Sequence, residues 1–283
     1  MVIDYSQLQC YISCPKKYHN KYVRKVRKAR FDGRDLDANF GRSVHEALEH
    51  YYKGGSKEEA IALFVKHNVD IPGEEAKTTN NGKLMLQRYF DKWENDTTFM
   101  SDKNLKTIAV EIQDSYMIGD IEYLVKIDRI VESNAGIFVM DHKTTGSTLN
   151  SRYFSNFNYH MQFDGYCNYV KKKYGQCSGA IINALKCGFR KRAYRGEPAG
   201  FHCDFDRDVT TRDVEQLADF ERNVTEWTRK IKNDTFYARN KDNCTSFRGC
   251  GYKELCMACD DINVEDTLYE QYDPLEYLKG GEK

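Results

Sequence analysis

The sequence predicts a mixed α/β protein, a central sheet with helices on both sides, and three observations carry that prediction. Apolar residues recur with helical spacing through the first hundred residues, switch to strand-rich Ile, Val and Tyr runs over residues 106–142, and then return to helical spacing. The resulting order, αααβββαβ(β)α, suits a sheet covered by helices. Turn signals at Ile118-Gly119-Asp120 and Ser133-Asn134-Ala135-Gly136 separate the strand-like runs so closely that they read as an antiparallel three-strand meander. A chain of 283 residues is long enough to bury such a core.

In chain order, Ser6 is the expected N-cap of a first short helix. Residues 40–52 form a helix with Val44, Leu48 and Tyr51 on one stripe. Residues 57–68 and 83–93 form two more, with a polar loop over 73–82. Strands are expected over 106–116, 121–131 and 136–142, a helix over 155–174, and strands over 180–186 and 200–205. A long helix follows over 210–233, then a cysteine-rich loop segment and an acidic tail. The expectation is one domain, 1–283. It comprises a helical part (1–100), a core (101–205), a helix and cysteine segment (206–259) and the tail (260–283). No run of eighteen apolar residues and no apolar leader core is present, so a soluble, cytoplasmic chain without a membrane partner is expected.

The formal net charge is zero, but charge is unevenly spread. Residues 15–30 hold eight Lys or Arg and no acid, interleaved with Tyr18 and Tyr22. A second cluster is Arg190, Lys191, Arg192 and Arg195. Such segments suit a phosphate backbone, or form a solvated face.

The chemistry concentrates at Ile137-Phe138-Val139-Met140-Asp141-His142-Lys143. Side chains two apart on a strand share a face, so Asp141 and Lys143 stand side by side. A carboxylate there can hold a divalent metal, and an ammonium can orient water or offset charge on a phosphate. Asp128 closes a similar run upstream. Two acids and a lysine on adjacent strands make a metal-dependent phosphodiesterase site; polar residues where a strand leaves the core are the plain alternative. Glu111, between Val110 and Ile112, either aims at the same site or faces solvent. His45, in Gly41-Arg42-Ser43-Val44-His45, offers an imidazole suited to manganese, although a helical His is commonly structural. Gln162 and Tyr166 share a helix face, as contacts to phosphate or base edges or as an ordinary polar stripe.

Four of the ten cysteines crowd into residues 244–259 with the spacing Cys244-x5-Cys250-x5-Cys256-x2-Cys259. Structural zinc uses short Cys pairs, and only Cys256 and Cys259 fit one. An iron–sulfur cluster needs four thiolates and tolerates a distant one, for which Cys14, before Pro15, is a candidate. Ligation from residue 14 to residues 244–256 closes a very long loop and staples the two ends together. Buried thiols are the alternative, but a polar, Gly-containing loop makes a poor core.

The ordered set Cys14-Pro15, Gly41-x3-His45, Glu111, Ile127-Asp128, Asp141-His142-Lys143, Gln162-x3-Tyr166 and the terminal cysteines resembles the RecB-like branch of the PD-(D/E)XK nucleases. More narrowly it looks like the iron–sulfur members: the AddB nuclease domain, CRISPR-associated exonucleases and phage-encoded relatives. The likeness covers about residues 1–259. It implies a restriction-endonuclease-like core whose N- and C-terminal segments are joined by a cysteine-ligated cluster. By that resemblance, His45, Asp128, Asp141 and the backbone carbonyl of His142 bind Mg²⁺ or Mn²⁺, and Glu111 supports the site. Lys143 is the catalytic lysine, and Gln162 and Tyr166 contact DNA. Cys14, Cys244, Cys250 and Cys256 hold a [4Fe-4S] cluster, with Cys259 spare.

Two departures stand out. Val125 occupies a position where many relatives carry Gly, and the terminal cysteines are spaced x5, x5, x2 rather than x2, x5. The implied activity is DNA cleavage, as an exonuclease on single strands or ends. The implied setting is recombination, repair or CRISPR-linked processing in a bacterial or phage-infected cell, with a helicase or recombinase as partner. The rival readings are a non-cleaving DNA-binding module and a zinc-stapled structural protein.

Overall fold

The computed structural model describes residues 1–29, 36–193, 196, 198–245 and 249–275. Arg30 and Arg195, members of the two basic clusters, and the end of the acidic tail lie outside them. The strands are β1 (Val2–Asp4), β2 (Val26–Lys28), β3 (Lys106–Ile118), β4 (Ile121–Ser133), β5 (Gly136–Thr145), β6 (Gly179–Arg190), β7 (Gly200–Thr210) and β8 (Tyr269–Gln271). The helices are α1 (Tyr5–Ser13), α2 (Pro15–Tyr18), α3 (Leu36–Tyr52), α4 (Lys57–His67), α5 (Thr79–Asn95), α6 (Ser151–Ser155), α7 (Met161–Tyr174), α8 (Val214–Asn233), α9 (Lys253–Met257) and α10 (Ile262–Leu268). Together they make the mixed α/β architecture, and the chain divides into two compact units.

One unit holds Asp35–Asp114 and Val125–Ala218. The six-stranded sheet contains the expected meander. β3 joins β4 through a two-residue connection, which only antiparallel strands allow, and β4 pairs antiparallel with β5. β5 then pairs parallel with β6, and β6 antiparallel with β7, so the sheet is mixed. Helices α3, α4 and α5 bury Val44, Leu48, Phe64, Leu86 and Phe90 against Leu185, Cys187 and Phe205 of β6 and β7. A methyl group on Gly82 of α5 would lie 2.1 Å from Cζ of Phe64, so close packing of α4 on α5 requires a glycine there. On the other side of β5, α7 brings Phe163 to Lys143.

The other unit holds Met1–Arg34, Ser115–Leu124 and Asp219–Lys283. Here β1 runs parallel to the first residues of β4, and β2 pairs antiparallel with β8. A small core of Val26, Tyr252, Leu255 and Tyr269 closes around that ribbon. The basic run of residues 15–30 meets the acidic tail. Lys16 pairs with Asp260 at 2.9 Å, Arg27 with Glu270 at 2.6 Å, Lys28 with Glu254 at 2.7 Å, and Arg24 with Glu265. Among the described residues, Lys16, Arg24, Arg27 and Lys28, all read as phosphate contacts, are therefore ion-paired within their own unit.

Several local expectations are corrected. Asp4, not Ser6, caps α1, its Oδ1 accepting the Gln7 amide at 2.7 Å. The loop over 73–82 ends early because the Thr78 side chain caps α5 by accepting from the Asn81 amide. The helix over 155–174 is broken between α6 and α7. Residues 156–160 are Asn and aromatics, poor helix formers, and the Asn156 side chain bonds back to the carbonyls of Arg152 and Tyr153. β6 and β7 run well past residues 186 and 205, each supplying the other's ladder. The tail carries α10 and β8 rather than loop alone.

Candidate metal centre and active site

The last ladder pair between β4 and β5 is Arg129 with Met140. One step further along the same register, Asp128 faces Asp141. With the ladder ended, the backbone N–H of His142 donates to Oδ2 of Asp128 at 2.7 Å instead. Nδ1 of His45, from α3, lies 3.4 Å from Oδ1 of the same carboxylate. α3 comes this close to β5 because Gly41 packs on Thr144; a Cβ there would already be 3.3 Å from the threonine hydroxyl.

Glu111 completes the group. Its φ of +49°, inside β3, is a conformation that side-chain-bearing residues avoid. A residue so placed breaks the alternation of its strand, and the Glu111 carboxylate ends beside Asp128 rather than in solvent. Ligand atoms of His45, Glu111 and Asp128 all lie within 4.8 Å of one another. Oxygen and imidazole donors at that spacing fit a single Mg²⁺ or Mn²⁺ ion. Asp141, expected among the ligands, is not in this group of three; its Oδ2 is 2.7 Å from Nζ of Lys143. Glu111, expected as support, is in it.

The electrostatics follow from crowding. Burial opposes charge on His45, but Asp128, with Asp141 and Glu111 behind it, raises its pKa to about 9. Burial opposes ionisation of Asp128 too, yet His45 and the His142 amide hold it well below the usual carboxylate range. Burial and the charge of Asp128 push Asp141 up while Lys143 pulls it down. Glu111 is likewise raised by burial and by Asp128.

Behind β5 lies a buried polar network that pattern reading missed. The His142 side chain, one position from Asp141 and Lys143, points to the opposite face. Its Nδ1 is 2.6 Å from Nδ2 of Asn183, its register partner on β6, and its ring stacks on Tyr52. Arg207 Nε donates to Oδ1 of Asn183 at 3.0 Å. A guanidinium only donates, so the amide oxygen must face it. Nδ2 of Asn183 must then donate to His142 Nδ1 and to the Tyr89 hydroxyl. The His142 proton therefore sits on Nε2, and burial, with His45, Arg129 and Arg207 nearby, lowers its pKa to about 3. Arg207 and Arg129 share Asp102 at 2.9 and 3.4 Å, and their guanidinium groups cover Trp93 and Tyr52, each at 3.8 Å.

On the Lys143 side, α7 carries Gln162 and Tyr166, whose amide and hydroxyl bond to each other at 3.0 Å. Phe163 between them has its ring 5.8 Å from Nζ of Lys143. Tyr153 and His160 also feel the Lys143 charge. Neither was singled out in the sequence, although the density of aromatics over 153–166 is a visible signal. Val125, in place of a small residue, is buried and points into the core.

The cysteines form a separate locus in the other unit. Cys14, Cys244 and Cys250 line one cavity of about 570 Å³, together with Cys10, Lys17 and Lys21. The Asn240 amide donates to Sγ of Cys14 at 3.5 Å. Cys256 lies within electrostatic reach of Cys250, while Cys259 is exposed, with a φ of +51°. Thiol donors from both ends of the chain around a roomy, cationic cavity fit a [4Fe-4S] cluster, whose thiolates are anionic. Cys10 was not anticipated there; burial raises its thiol to about 11.

A family model described as the PD-(D/E)XK nuclease superfamily matches residues 3–257. Among solved structures, the chain resembles a candidate exonuclease from Eubacterium rectale (TM-score 0.51, 13% identity, 87% of each chain covered). It also resembles an alkaline exonuclease from Laribacter hongkongensis (TM-score 0.30, 11% identity, 69% of this chain and 92% of that one). At such identity the first likeness is one of fold. No curated protein matches the chain.

Proposed function

The chain belongs to the PD-(D/E)XK nuclease superfamily, and we propose that within it the protein is a divalent-metal-dependent deoxyribonuclease of the RecB-like iron–sulfur branch, an exonuclease acting on single strands or DNA ends. The observation that carries this reading is the convergence of His45, Glu111 and Asp128 within 4.8 Å, beside the Asp141–Lys143 pair at 2.7 Å.

His45, Glu111 and Asp128 would hold the ion, with Asp141 and the His142 carbonyl as further ligands. An ion held there would supply Lewis acidity and lower the pKa of water at the scissile phosphate. Lys143 orients that water and offsets the charge that develops on the phosphate oxygens. Gln162 and Tyr166 hold the DNA backbone next to the scissile bond. Cys14, Cys244, Cys250 and Cys256 ligate a [4Fe-4S] cluster of structural role. Among the described residues no helix is long and apolar enough to cross a membrane. A cytoplasmic setting in recombination, repair or CRISPR-linked processing, with a helicase or recombinase supplying ends, fits this chemistry.

The test is cleavage of end-labelled single- and double-stranded DNA by anaerobically purified protein in Mg²⁺ or Mn²⁺. Metal-dependent cleavage that Lys143→Ala lowers by about 10²-fold or more is expected. Equal cleavage by the two proteins would remove the site assignment.

A further inference from the structure

The imidazole of His142 points to the face of β5 away from Asp141 and Lys143, yet this residue touches two elements that carry metal-binding side chains. Its backbone N–H fixes Oδ2 of Asp128 at 2.7 Å, which leaves Oδ1 turned to His45 at 3.4 Å. Its ring meets α3 twice. It packs edge-on against the His45 ring with centroids 6.0 Å apart. It also stacks on Tyr52, two turns further along the helix, at 5.6 Å and an interplanar angle of 11°. Asp128 on β4 and His45 on α3, two members of the ligand group, are therefore both placed against this one residue.

Asn183, wholly buried on β6, holds the ring from behind. Its Nδ2 donates to His142 Nδ1 at 2.6 Å and to the Tyr89 hydroxyl at 2.9 Å, and its Oδ1 accepts from Arg207 at 3.0 Å. The Arg207 guanidinium is fixed in turn by the Tyr89 hydroxyl at 3.0 Å, the Tyr52 hydroxyl at 3.2 Å and Asp102 at 2.9 Å. Tyr52 thus stacks on His142 and also joins the network that holds Asn183, so the anchorage closes on itself. An amide whose oxygen faces a guanidinium and whose nitrogen meets two acceptors has one orientation. Any shift would leave buried polar atoms unpaired, which folded proteins avoid.

We propose that Asn183 is a positioning residue for the metal centre: through the His142 ring it sets the place of the Asp128 carboxylate and of the His45 imidazole, and so the affinity for a divalent ion. The inference rests on the metal-dependent reading above and adds to that site a residue that does not touch the ion. The rival role is plain stabilisation, since a satisfied buried network rigidifies a core wherever it stands. The two roles differ in consequence. A small hard ion demands near-ideal ligand geometry, so a shift of two ligands weakens binding. A loss of stability alone leaves the folded site, and its affinity, as they were.

Calorimetric titration with Mn²⁺, well below the denaturation midpoint, separates the two roles. Asn183→Leu keeps the approximate shape of the side chain and removes its hydrogen bonds to His142, Tyr89 and Arg207. It is expected to weaken Mn²⁺ binding about tenfold, the low end of what losing a residue that supports a metal ligand costs. Gly82→Val destabilises by overpacking elsewhere and should leave the affinity within about twofold. Tyr52→Leu removes the stack without touching Asn183 and should also weaken binding about tenfold, whereas Tyr52→Phe, which keeps the ring, should match wild type. Unchanged affinity in Asn183→Leu overturns the inference, as does an equal loss in Gly82→Val. Should Asn183→Leu not fold, the Tyr52 pair decides, and equal affinities in its two members overturn it. If wild type does not bind Mn²⁺, or Asp128→Asn binds it as tightly as wild type, the metal-site reading itself fails.

Discussion

The two units treat charge in opposite ways. In the unit of Asp35–Asp114 and Val125–Ala218, ionisable groups are buried and crowded: Asp128, Asp141, Arg129 and Arg207 are all nearly inaccessible. In the unit of Met1–Arg34, Ser115–Leu124 and Asp219–Lys283, cations and acids pair off at partly exposed positions, and thiols are left to line a cavity. Crowding carboxylates costs folding free energy unless a cation neutralises them, so the first arrangement suits a hard ion. Soft sulfur donors on a loop-rich frame suit a cluster that substitutes for a large core.

The sharpest way to break this contrast is to remove one ligand from each unit. Asp128→Asn is expected to abolish Mn²⁺ binding by calorimetry and to lower cleavage by at least about 10²-fold, while the visible absorbance expected of the proposed cluster persists. Cys244→Ser should do the reverse, bleaching the absorbance while Mn²⁺ still binds. Loss of both signals in either variant would mean that the two loci are not independent.

Next in size is the network behind β5. Arg207→Leu is expected to cost about 3–5 kcal/mol, because a buried pair loses one partner, read as a lowered denaturation midpoint. Arg27→Ala, which breaks a pair about two-fifths exposed on each side, should cost under about 1 kcal/mol. Similar losses for the two would erase the distinction drawn between the units. Gly82→Val falls between, at about 1–3 kcal/mol from overpacking against Phe64, with the Mn²⁺ affinity unchanged.

A further test is one of pH. His45, with a pKa of about 9 in the metal-free protein, is protonated at neutral pH and must lose that proton to bind a metal. Mn²⁺ affinity is expected to rise by up to about tenfold per pH unit from pH 7 to 9, with proton release in calorimetry. Raised above its unfolded value, the same group stabilises the metal-free fold below about pH 6.5. That support fades as pH climbs through about 9. PH-independent binding would take His45 out of the ligand set.

How much of this was legible follows from the range of each signal. The meander, the helices and the shared face of Asp141 and Lys143 rest on spacings of two to four residues. Those are steric properties of the backbone and can be read locally. The position of Glu111 could not be read, because alternation assumes an unbroken strand and its left-handed φ breaks it. The network of Arg207, Asn183, Tyr89, Tyr52 and His142 joins residues up to 155 apart, and a buried arginine looks like a surface one in sequence. The strand at Tyr269–Gln271 is too short to have a period and exists because β2 pairs with it.

The sequence by itself determined the class of fold and offered side chains whose chemistry suits metal or cluster ligation, since those follow from residue chemistry and local geometry. Tertiary structure alone decided that Glu111 joins His45 and Asp128, that Asp141 turns to Lys143, and that the basic run is met by the acidic tail. Each depends on through-space distances that only long-range packing sets, and charge interactions are strong or negligible according to that distance and the burial around it.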